Sequence, residues 1–173
     1  MITAARASLL LLVLVTLQTT LLADLPIFGA RADIMLLFVI AAGLTGGADR
    51  GAMWGFIAGF CLDLAVHGTP VGFFALAYTL VGYCVGVLQH SVLRAAWWIP
   101  MLTTIVASAL GVLALALIGT MIGQEGLFTQ RLLVIAAVVV SVNAILIFPM
   151  MRAVRWAIPP HEATSGRLVV DRA

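Results

Sequence analysis

The chain has 173 residues, of which 64% are hydrophobic and only 9% charged. A water-soluble domain of that size could not cover such a composition with polar surface, so lipid must be the solvent for most of it. Its formal charge of +2 rests on nine arginines and no lysine, scattered along the chain, which excludes the basic stripe of a nucleic-acid binder.

The first apolar run covers residues 7–23. A single arginine, Arg6, precedes it, and no small-residue cleavage site stands before Asp24. It therefore reads as a retained transmembrane helix and not as a cleaved secretory signal. A polar break over residues 24–32, with Pro26 and Gly29, leads to a second span at 33–46. Gly47–Arg50 separates this from a third at 51–66, and His67–Pro70 separates the third from a fourth at 71–89. The break His90–Trp98, containing Arg94, precedes a fifth span at 99–122; Gly123–Thr129, containing Glu125, precedes a sixth at 130–151. One crossing takes roughly 20 apolar residues, so these runs leave no room for a soluble domain. The expected fold is an all-α integral membrane bundle of six spans within residues 1–158. Pro159 and Pro160 end the last helix, and residues 159–173 read as a polar, disordered tail.

Alternate breaks carry different numbers of arginines. With the N-terminus inside, Arg6, Arg50, Arg94, Arg152 and Arg155 flank the cytoplasmic ends, and only Arg31 and Arg131 face out. The positive-inside rule then places both termini in the cytoplasm, as an even number of crossings requires. Trp54, Trp97, Trp98 and Trp156 fall near the same cytoplasmic helix ends, where the indole ring suits the membrane–water interface. The second and third spans are short, but joining them as a re-entrant hairpin would strand Asp49 and Arg50 at mid-bilayer, so two crossings are expected. Cys61 and Cys84 are separated by roughly 12 Å in depth on these spans, too far for a disulfide, and read as inert thiols.

The third span carries glycines at four-residue spacing, Gly47, Gly51, Gly55 and Gly59, with Asp63 on the next rung and His67 on the one after. On a helix these line one side and leave a groove free of side chains, where another backbone can approach closely. The groove is a candidate seat for a partner helix; the plainer reading is packing inside the bundle. The fourth span echoes the pattern in Ala75, Thr79, Gly82 and Gly86. Asp63 is the one acid well inside an apolar run, expected to face the bundle interior in either a structural or a binding role. His67, one turn further, permits a hydrogen bond or relay, but two ligands fall short of the three or four that zinc takes. Asn143, near the middle of the last span, is expected to bond between helices. No nucleophile motif accompanies Ser8, Ser91, Ser108, Ser141 or the cysteines, so no catalytic, metal or cofactor site is expected.

The stretch Gly55-Phe56-Ile57-Ala58-Gly59-Phe60-Cys61-Leu62-Asp63-Leu64, continued by Gly68-Thr69-Pro70-Val71-Gly72-Phe73-Phe74, resembles the family of rod shape-determining MreD proteins. The resemblance rests on Gly55, Phe56, Gly59, Asp63, Gly68 and Gly72. The segment Phe28-Gly29-Ala30-Arg31-Ala32-Asp33 is similar to the entry of that family's second helix, with Ala32 where many members have proline. The resemblance implies a non-enzymatic membrane scaffold for cell elongation and peptidoglycan synthesis in the inner membrane. It also implies a fold similar to the substrate-binding subunits of energy-coupling-factor transporters. The implied partners are the transmembrane helix of MreC and, through it, MreB, RodA and a class B penicillin-binding transpeptidase. The alternative is a small-solute binding subunit of a transporter, with Asp63, Asn143 and Tyr78 facing an outward cavity. A third reading, an intramembrane enzyme, rests on Asp63 and His67 alone.

Overall fold

In the computed structural model, which describes residues 2–21, 32–66, 70–95, 98–123 and 130–159, six helices and no strand occur among the described residues. Helix α1 spans Ile2–Thr16 and runs on into a π-helical turn, Leu17–Leu21. Helices α2 (Ile34–Gly46), α3 (Ala48–Ala65), α4 (Phe73–Ala95), α5 (Ile99–Met121) and α6 (Gln130–Ala157) follow. Two segments, Ile99–Met121 and Leu132–Ala157, are long and apolar enough to cross a bilayer, and the remaining apolar helices are shorter.

Helix α2 is the axis of the bundle. Every residue from Ile34 to Leu44 is buried, because α1, α3, α4, α5 and α6 all pack against it. A helix apolar on all sides has no solvent face and belongs in a core. Its 13 residues rise about 20 Å, well short of the ~30 Å hydrocarbon thickness that a lipid-facing span would have to match. Being surrounded by protein, it has no need to match it. The outer surface is as apolar as the interior: Leu12, Phe56, Leu110, Leu133 and Ile145 are all exposed.

Several boundaries differ from the sequence reading. The break between the second and third helices is one residue, Gly47, at φ +85°, a left-handed conformation open to glycine and strained for other residues. Its N–H bonds the carbonyl of Gly43, closing α2, while its own carbonyl accepts from Gly51 N–H to open α3. Helix α4 continues to Ala95 and α6 to Ala157, beyond the apolar runs, since helical hydrogen bonding extends into flanking polar residues that hydropathy does not count. The first and last helices meet: the Arg6 guanidinium lies 5.2 Å from the Trp156 ring centroid, and Arg50 Nη1 donates to the carbonyl of Pro159 at 3.1 Å. The start of α1, the start of α3 and the end of α6 thus share one end of the bundle. The expected tail, from residue 160 on, lies outside the described residues.

Candidate functional site

The glycine surface of α3 is not an open groove. Helix α4 fills it, antiparallel and in backbone contact. A Cβ placed on Gly51 would lie 2.1 Å from the carbonyl oxygen of Gly82, one on Gly55 would lie 2.4 Å from that of Tyr78, and one on Gly59 would lie 2.4 Å from that of Phe74. At the upper end a Cβ on Gly86 would lie 2.4 Å from the carbonyl carbon of Gly47. Each four-residue step along α3 is matched by a four-residue step back along α4, so Gly82 and Gly86 of the second small-residue series interlock with the first. Dispersion and close backbone contact are what associate helices in lipid, and this seam supplies them within the chain. The expectation that Gly47, Gly51, Gly55 and Gly59 seat a partner helix is corrected accordingly: three of them are covered by α4, and Gly47 is the inter-helix break.

Asp63 stands where the seam runs out. Only 4% exposed, its carboxylate accepts from the backbone N–H groups of Gly72 and Ala75 through Oδ2 (3.0 and 3.1 Å) and of Phe74 through Oδ1 (3.0 Å). The first turn of a helix leaves its N–H groups without intrahelical partners, and a carboxylate is the acceptor that the helix dipole favours there. Asp63 is therefore the cap of α4, delivered from α3 across the connection. Gly72, at φ +99°, sits in the turn that presents those N–H groups. Of the other motif residues, Phe56 is exposed and stacks on Phe60 with centroids 6.0 Å apart and planes 9° from parallel. His67 and Gly68 lie outside the described residues.

Asn143 is fully buried on α6 and donates from Nδ2 to Ser108 Oγ of α5 at 2.9 Å. Its Oδ1 finds no partner among the described residues. This pair is a cross-helix tie and does not face the cavity described next, so the grouping of Asp63, Asn143 and Tyr78 around one pocket is not what the fold assembles. Cys61 and Cys84 are both free thiols. Among the described residues no three His, Cys, Asp or Glu side chains cluster closely enough to hold a metal ion.

What the fold does assemble is a second polar cluster, at the end where α2 and α4 begin. Asp33 caps α2, accepting from Leu36 N–H through Oδ1 at 2.9 Å. The fully buried Tyr78 of α4 donates its hydroxyl to Asp33 Oδ2 at 2.6 Å. From the π-helical turn after α1, Gln18 bridges the same entry, accepting from Ile34 N–H and donating to the Ala32 carbonyl, both at 3.0 Å. Beside the cluster lies a cavity of about 500 Å³. Gln18, Thr19, Asp33 and Tyr78 supply its polar lining, and Leu62, Val66, Phe74, Leu115, Ile135 and Val139 are among its apolar walls. An Asp directly before an unbroken apolar run is a helix-start signal, so the capping role of Asp33 was open to sequence reasoning. Its pairing with Tyr78, 45 residues away, carries no sequence signal.

Comparison with protein-family models, with curated proteins and with solved structures finds no match for this chain.

Proposed function

We propose that the chain is a non-enzymatic scaffold of the MreD kind, crossing the inner membrane six times with both termini in the cytoplasm. In this role it holds the transmembrane helix of an MreC-like bitopic partner and serves cell elongation and peptidoglycan synthesis. One observation carries the reading: the residues that resemble the MreD motif form an architectural device. Gly55 and Gly59 let α3 and α4 meet at backbone distance, and Asp63 caps α4 through Gly72, Phe74 and Ala75. A motif whose Gly55, Gly59, Asp63 and Gly72 all serve to fix two helices suits a protein whose product is a rigid surface. The gathering of Arg6 and Arg50 at one end of the bundle supports the cytoplasmic placement of that end, since basic residues favour it, and Trp156 beside them suits a membrane–water interface. Because α4 occupies the glycine seam, the partner helix meets an outward face of the bundle and leaves the seam intact.

The test is co-expression with an MreC protein carrying its own transmembrane helix, followed by detergent extraction and affinity purification of the present chain. MreC is expected to co-purify in a defined ratio and to be lost when its transmembrane helix is exchanged for an unrelated apolar one. Absence of MreC, or indifference to the helix exchange, overturns the proposal.

A further inference from the structure

The cavity beside Asp33 has no part in the scaffold role, and the geometry points to a binding site for an apolar amine, a compact ammonium head on a hydrocarbon body. Its volume, about 500 Å³, falls within the ~300–1,000 Å³ typical of small-molecule sites, and its mixture of apolar walls with a few converging polar groups is the usual build of such sites.

The hydrogen-bond inventory of the polar end decides the head group. The two carboxylate oxygens of Asp33 have capacity for about four donors, and Leu36 N–H on Oδ1, Tyr78 O–H on Oδ2 and a further backbone N–H from Met35 leave room for one more. The Tyr78 oxygen has given its proton to Asp33 and retains lone pairs. Thr19 has given its proton to the carbonyl of Val15, and its oxygen likewise can only accept. The amide of Gln18 bonds the entry to α2 through both its oxygen and its nitrogen, with one N–H to spare. The cluster is thus rich in acceptors and carries a carboxylate, and no Arg, Lys or His occurs among the described residues that line the cavity. An ammonium, with three donors and a positive charge, complements it; a phosphate or carboxylate head would set its oxygens against those of Asp33, Tyr78 and Thr19. The body of the ligand would lie along Leu62, Val66, Phe74, Leu115, Ile135 and Val139, where apolar contact is all that is offered.

Such a head could arrive on a free amine or on an ethanolamine-headed lipid, and one experiment separates the two. Labelled octylamine is titrated into the full chain in phosphatidylcholine nanodiscs, with octanoate and octanol as competitors. Saturable binding at one site is expected, displaced poorly by octanoate, and weakened at least about tenfold by Asp33→Asn, the usual weight of a charge-assisted hydrogen bond. Asn still caps α2 from its amide oxygen, and the Tyr78 hydroxyl can turn to accept from its NH2, so the helix start keeps its partners. A second variant, Ile135→Trp, fills the cavity from its wall without touching the polar cluster and should abolish binding. Displacement of octylamine by phosphatidylethanolamine added to the nanodisc would identify a lipid as the source; failure to displace would identify a free amine. The assignment is overturned if the wild-type chain shows no saturable binding, if octanoate competes as well as unlabelled octylamine, or if both variants bind as the wild type does.

Discussion

Replacing Asp63 should loosen the start of α4 specifically, and the geometry sets the order of the variants. Three backbone N–H groups converge on the carboxylate, two on Oδ2 and one on Oδ1. In Asp63→Asn the amide has one oxygen to offer. Turned toward Gly72 and Ala75, it leaves the Phe74 N–H facing an NH2 group; turned the other way, it leaves two donors so placed. A buried donor deprived of its acceptor costs about 1–3 kcal/mol, and the surviving bonds lose their charge assistance, so Asp63→Asn should cost about 2–3 kcal/mol. Asp63→Ala strands all three donors and should cost more, toward the ~3–5 kcal/mol found when one partner of a buried charged network is removed. The assay is thermal unfolding in detergent together with amide hydrogen exchange. Protection at Gly72, Phe74 and Ala75 should fall in the order wild type, Asn, Ala. The Leu36 amide, capped separately by Asp33 at 2.9 Å, provides an internal control that should not move. Asp63→Asn melting with the wild type, or exchange rising equally at Leu36, would refute the capping argument.

Gly51→Ala should destabilise more than Gly72→Ala. The first drives a methyl to 2.1 Å from the Gly82 carbonyl oxygen, backbone that cannot swing aside, for about 1–3 kcal/mol or more of overpacking; the second meets nothing within 4 Å and bears only the left-handed strain of φ +99°, about 1–2 kcal/mol. Paired thermal melts read the difference, and equal losses would contradict the backbone seam. Asn143→Leu should change stability by less than about 1 kcal/mol, because cross-helix polar bonds in membranes average only ~0.6 kcal/mol and its Oδ1 is already unpartnered among the described residues. A large loss in the same melts would assign Asn143 a further partner.

The helical class and the approximate helix positions were legible because the apolar runs and the polar breaks between them are a one-dimensional property. The small residues at positions 51, 55 and 59, and those at 82 and 86, were equally plain as a close-contact surface. Which backbone fills that surface was not, since a glycine face reports the absence of side chains and is silent about its neighbour. The central place of α2 was missed for a related reason. Its apolar residues look the same in sequence whether lipid or protein surrounds them, and only the arrangement of the other helices distinguishes the two. The polar residues divide in the same way. Asp63 stood out as costly in an apolar run, yet its acceptors' partners lie 9–12 residues further on, beyond a connection whose shape the sequence does not state.

The sequence by itself determined that the chain is helical and strongly apolar, with a glycine-faced helix ending in an acid inside an apolar run, because composition and periodicity act locally and are written residue by residue. Only the tertiary structure decided that α4 closes the seam, that Asp63 is its cap, and that Asp33, Tyr78 and Gln18 meet beside a cavity. Those outcomes depend on contacts between helices far apart in the chain, where shape and hydrogen-bond geometry choose among neighbours that are chemically alike.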